Sequence, residues 1–116
     1  MPCVSISEET LQKSTEIHPT LNHCAGPEGF AMSHSEMAEE EAAMRASTLA
    51  NQALCPVYLG PLTSPTAAEV VAGKKARGAV LYADTSAAAV ILDGEEYWNK
   101  CWRHAASFLC SPPLRE

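Results

Sequence analysis

The sequence predicts an α/β fold built on a parallel sheet. Two observations carry that prediction. Between residues 36 and 83 the apolar pattern alternates helix, strand, helix, strand, and the joining segments are only a few residues long. A strand that returns through a helix to the same sheet runs parallel to its predecessor by a right-handed crossover. The length bounds the result: 116 residues make one small domain, and a composition that is 47% hydrophobic and 19% charged is ordinary for a globular chain.

Residues 1–25 carry the weakest pattern. Ser5 or Ser7 starts a short helix that Pro19 stops, and the segment is expected to be a loosely ordered leader. Residues 26–30, "GPEGF", read as a turn, since Gly-Pro and Glu-Gly pairs punctuate chains. Ser33 with Glu36 three residues on is a capping-box pattern that opens the first helix, residues 36–54. Its apolar face is read at Ala38, Ala42, Ala46, Leu49, Ala50 and Ala53, small side chains suited to lying flat on a sheet. "CPVYL" gives a strand at residues 57–59, with no polar alternation, as expected for a strand buried on both faces. Ser64 caps the next helix, with Pro65 in its first turn. Ala67, Val70 and Val71 form its apolar face, Lys74, Lys75 and Arg77 suit its negative end, and Gly78 terminates it. "AVLYA", residues 79–83, is the second buried strand. A small-residue stretch, a turn at Asp93-Gly94 and a helix with Trp98, Trp102, Ala105, Ala106 and Leu109 at helical spacing complete the chain. Two strands cannot close such a sheet, so the chain reads as a piece of a larger α/β protein.

Charge and cysteine content exclude several function classes. The formal net charge is −6, with 14 acidic against 8 basic residues, which disfavours nucleic acid as a partner. Much of the acidity is Glu36, Glu39, Glu40 and Glu41, read as one solvated helix face. Five cysteines at wide spacing, without CxxC, fit free thiols in a reducing compartment. No signal peptide, transit peptide or membrane span is legible. The expected location is the cytoplasm, with no membrane partner.

At this point the residues resemble a known family. Gly26-Pro27-Glu28-Gly29, Tyr97-Trp98-Asn99-Lys100 with Trp102, His104-Ala105-Ala106 and Ser111-Pro112-Pro113-Leu114-Arg115 resemble, in order, the dihydropyrimidinase family. That family comprises the zinc-dependent cyclic amidohydrolases and the non-catalytic collapsin response mediator proteins. The resemblance runs without a gap over residues 26–115. It implies a fragment of a (β/α)8 barrel: a helix, strand six, helix six, strand seven and the helical segment beyond. Residues 1–25 then form an unmatched leader, and residues 26–116 a partial barrel.

The resemblance also implies a missing site. The family's enzymes hold two metal ions through histidines, a modified lysine and an aspartate at several strand ends. The strand-six histidine falls on Pro61, and the mediator proteins also lack it. The remaining ligands lie outside the match. There is no HxH pair, and the only lysine before Lys74 is Lys13. No cofactor and no catalytic, cofactor-binding or metal-binding residue is therefore expected, zinc belonging to the family's active members.

Other candidate residues read as structural. His23 and Cys24 are adjacent, with no second pair, and read as loop. The family's strand-five histidine lies further upstream of "GPEG" and is not carried onto His23. His104 reads as a packed or surface imidazole, and Asp84, at a strand end, as a cap. Cys55 is expected to be buried and inert, and Cys101 more accessible. Ser47, Thr48 and Ser107 lack a nucleophile-elbow pattern. The leading expectation is a truncated, catalytically incompetent family member, not an enzyme, acting if at all by self-association or with full-length family members. Two alternatives stay open: a fragment of a cyclic-amide hydrolase active only in a longer form, and a truncation product without a function of its own.

Overall fold

The computed structural model describes Cys3, Val4 and residues 26–115. The elements are β1 (Cys3–Val4), α1 (Pro27–Ser33), α2 (Glu36–Gln52), β2 (Val57–Leu59), α3 (Pro65–Ala76), β3 (Leu81–Ala83), α4 (Ala87–Ile91), a 3-10 turn (Gly94–Trp98) and α5 (Trp102–Ser107). They form two compact units. One holds β1 and residues 36–86, the other residues 26–35 and 87–115. The helix proposed between Ser5 or Ser7 and Pro19 lies outside the described residues. No helix among those described is long and apolar enough to cross a membrane.

The first unit contains the parallel sheet that the sequence predicts, with a strand it did not predict. The order is β1-β2-β3, all parallel. Cys3 pairs with Tyr58 and Val4 with Leu59, while Val57, Tyr58 and Leu59 pair with Leu81, Tyr82 and Ala83. A two-residue strand leaves no periodicity to read, so β1 was not visible in the sequence.

Successive strand side chains point to opposite faces. Val57, Leu59 and Leu81 point to one face and form a core with Ala43 of α2, Leu62 of the following loop, and Ala67 and Val71 of α3. Ala46, Ala50 and Ala79 pack on its margin. Burial on both faces is not found. Tyr58 is only half-buried, and Val80 and Tyr82 are 53% and 51% exposed. Both helices of this unit cover the same face of the sheet, so the apolar run reflects β-branched and aromatic preference more than two-sided burial.

Helix α3 begins as its residues dictate. The backbone N–H of Ala67 donates to Ser64 Oγ at 3.2 Å, and Pro65 occupies the first turn, where its missing N–H costs nothing. Gly78, at φ +90°, carries the chain out of the helix in a conformation that side chains resist.

Helix α2 is rotated from the expected face. Its buried row is Glu39, Ala43 and Ser47, one residue every four, while Leu49 is exposed and Ala53 lies past the helix end. Alanine is neutral about burial, so an alanine-rich helix fixes its face poorly. The polar anchor at Glu39 decides instead. Ser33 is not the cap of α2. It ends α1, where its Oγ donates to Phe30 O at 2.8 Å. The "GPEGF" stretch is helix rather than turn, with Gly26 at the N-cap, Pro27 at the first position and Glu28 in the first turn. Those residues punctuate turns and start helices alike.

The second unit is organised by Tyr97, which is 1% exposed. Its hydroxyl donates to Phe108 O at 3.3 Å and accepts from the Leu114 N–H at 2.9 Å. The Gly94 N–H donates to Arg115 O at 2.9 Å, and a Cβ at position 94 would stand 3.2 Å from Leu114 O, so only glycine allows this approach without adjustment. An Arg115 guanidinium nitrogen donates to His34 O. The tryptophan helix is broken. Asn99 Oδ1 accepts from the Cys101 N–H at 2.9 Å between the 3-10 turn and α5, and Tyr97 and Ala105 are buried while Trp98 and Trp102 are exposed.

Burial pushes the Tyr97 phenol above its usual range, with the nearby Cys110 adding to the rise. The folded state thus favours the neutral phenol. Its contribution is complete below the unfolded value of about 10 and is lost as pH rises beyond it. Tyr97→Phe leaves the Leu114 amide buried without its acceptor and is expected to cost about 1–3 kcal/mol in urea unfolding. Between about pH 8 and about pH 11 the native chain should lose more stability than the variant. Equal stabilities near neutral pH, or equal losses, would contradict this role.

Candidate functional site

Parallel strands send their carboxyl ends to one side of a sheet, where α/β proteins place their chemistry. Here that side carries residues 60–64 after β2 and residues 84–86 after β3. The Leu62 N–H donates to Asp84 O at 2.9 Å, which ties the two loops together, and the Leu62 side chain enters the core. Pro61 is exposed between Gly60 and Leu62, and its ring offers neither a ligand nor an acid. Asp84 does not cap a helix. It accepts a hydrogen bond from the Tyr58 hydroxyl at 2.6 Å.

The buried polar centre of this region is Glu39, which reaches it from α2. The residue is 2% exposed. Its Oε1 accepts from the Thr63 N–H at 2.7 Å and the Ser64 N–H at 3.1 Å, and its Oε2 accepts from Thr63 Oγ1 at 3.2 Å. A carboxylate leaves water only when hydrogen bonds replace its hydration, and these three do so. The solvated-face reading of the glutamates therefore fails at Glu39, though it fits Glu41, which pairs with Arg45 at 3.2 Å on the surface. The usable signal was the four-residue spacing of Glu39 with the small residues Ala43 and Ser47.

His23 and Cys24 lie outside the described residues. His104 Nε2 pairs with Glu96 Oε2 at 3.0 Å in the second unit, and its ring leans on Phe108 at 5.0 Å. Cys55 is exposed, not buried, because α2 has already ended and β2 has not begun. Cys101 is exposed at the N-cap of α5. The Ser47 and Thr48 hydroxyls donate to Met44 O at 3.0 and 2.7 Å, and Ser107 to His104 O at 2.6 Å. Lys74 Nζ donates to Thr48 Oγ1 at 2.9 Å.

Among the described residues no three or more His, Cys, Asp or Glu side chains gather as a metal site. The corner does not fit the zinc that the resemblance implies for active enzymes. Pro61 supplies no ligand and Asp84 is engaged by Tyr58.

No family model matches the chain. Individual relatives do. Dihydropyrimidinase of Rattus norvegicus is 46% identical over 90 residues, 78% of this chain and 17% of the relative. Dihydropyrimidinase 2 of Caenorhabditis briggsae is 44% identical over 97 residues, 84% of this chain and 19% of the relative. Dihydropyrimidinase-related protein 5 of Mus musculus is 43% identical over 90 residues, 78% of this chain and 16% of the relative. Among solved structures, D-hydantoinase from Bacillus sp. AR9 superimposes with a TM-score of 0.84 at 25% identity, over 93% of this chain and 23% of that one. Another D-hydantoinase gives 0.87 at 23% identity, over 98% and 25%, a likeness of fold alone. The neighbours are barrel amidohydrolases, and this chain presents an open α/β piece of that architecture. The chain spans less than a fifth of the length of these three curated relatives, and it belongs to the family of the dihydropyrimidinases and dihydropyrimidinase-related proteins.

Proposed function

We propose that this chain is a catalytically incompetent dihydropyrimidinase-like protein that acts, in the cytosol, by associating with copies of itself or with full-length family members. In the family barrel β2 takes the place of strand six, α3 of helix six and β3 of strand seven, with α4 following. β1, bonded to β2 on the side away from β3, takes the place of strand five.

The observation that carries this reading is the corner after β2. The family's enzymes place a histidine ligand at this strand end, and here it holds Gly60, Pro61 and Leu62. Association is supported by the sheet. Among the described residues β3 is one of the sheet's two outer strands, and such an edge offers backbone groups that a closed barrel would pair. Val80 and Tyr82 add apolar surface, at about 25 cal/mol for each Å² removed from water.

Metal content, turnover, assembly and unfolding test the reading. Elemental analysis of chain purified without a histidine tag should find no stoichiometric zinc, and neither dihydrouracil nor hydantoin should be hydrolysed above background. Pro61→His should be equally inactive. Chelator-sensitive turnover by either protein would refute catalytic incompetence. Sedimentation should then find the chain oligomeric alone, or co-sedimenting with a full-length family member. A strictly monomeric chain that ignores its relatives and unfolds in one sharp transition would refute the association.

A further inference from the structure

The buried carboxylate of Glu39 is used by no chemistry at the corner, and yet three donors of the β2–α3 loop converge on it. We infer that Glu39 is a conformational latch, holding residues 60–64 against α2 through its hydrogen bonds rather than through its negative charge.

The loop is restrained from three directions. The Leu62 side chain sits in the core, the Leu62 N–H is bound by Asp84 O, and the next two N–H groups, of Thr63 and Ser64, both end on Glu39 Oε1. The first two restraints act on Leu62, and the core holds α3 from Ala67 onward. Glu39 binds the two residues that follow Leu62. It thereby fixes Ser64, whose Oγ receives the Ala67 N–H and sets where α3 begins. Since Pro61 offers no ligand, the latch aims no catalytic group. It closes the carboxyl end of the core and keeps two amides from seeking water.

The geometry separates hydrogen bonding from charge. A glutamine presents the same Oε1 to both amides, and its NH2 can donate to Thr63 Oγ1, so all three contacts have a counterpart. An aspartate withdraws the acceptor by one methylene. A leucine fills the volume and accepts nothing.

Amide exchange measured by NMR on the whole chain tests this. The Thr63 and Ser64 amides should be as protected in Glu39→Gln as in the native chain. They should exchange at least about tenfold faster in Glu39→Asp and Glu39→Leu, the loss of one buried acceptor. Amides in the middle of α2 and α3 should keep their native protection in Glu39→Asp. If the leucine variant fails to fold, the aspartate and glutamine variants decide. Native protection of Thr63 and Ser64 in Glu39→Asp would overturn the latch. Exchange in Glu39→Gln as fast as in Glu39→Asp would overturn its independence of charge.

Discussion

The first unit depends on one constraint: the Glu39 carboxylate has left water and needs partners for its oxygens. Two backbone N–H groups and one hydroxyl of the β2–α3 loop supply them. That requirement sets the rotation of α2, because Glu39 must face inward and carries Ala43 and Ser47 in with it. The small side chains at those positions then let α2 lie close to its neighbours. The same contacts fix Ser64, and through its cap the start of α3. Helix, loop and crossover are thus placed by a single polar anchor beside an apolar core that would tolerate several arrangements.

The second unit solves a similar problem with a neutral group. Tyr97 places its ring in the interior and satisfies its hydroxyl with the backbone of Phe108 and Leu114. The close approach of Gly94 to Leu114 and Arg115 belongs to the same arrangement. Both anchors bind backbone groups distant from themselves in sequence, and hydrogen bonds of that kind specify one arrangement where apolar burial alone is permissive.

What was legible in the sequence were the features with local causes. Ser64 with Pro65 marks a helix start, and Gly78 a helix end, because capping is decided within one turn. The parallel order of β2 and β3 followed from the helix between them. What was not legible has distant causes. Glu39 reads as solvent-facing until the loop 24 residues later offers its donors. The tryptophans at helical spacing read as one helix, yet that helix is broken and Tyr97 is the residue whose hydroxyl finds partners inside. β1 is too short to carry a pattern and exists through its pairing with β2. At the candidate site, the position of Pro61 at a strand end was legible, whereas the engagement of Asp84 by Tyr58 required the register of β2 against β3.

The proposed role joins two features of the first unit: a corner after β2 that holds Gly60, Pro61 and Leu62, and an outer strand, β3, whose edge would meet a partner. The most direct measurement is hydrogen exchange across residues 80–83, with and without a full-length dihydropyrimidinase-family protein. The account predicts that the amides here that face away from β2 exchange readily in the dilute chain and become protected in the complex, while those of α3 change little. Unchanged exchange at residues 80–83 in the presence of a saturating partner would contradict it.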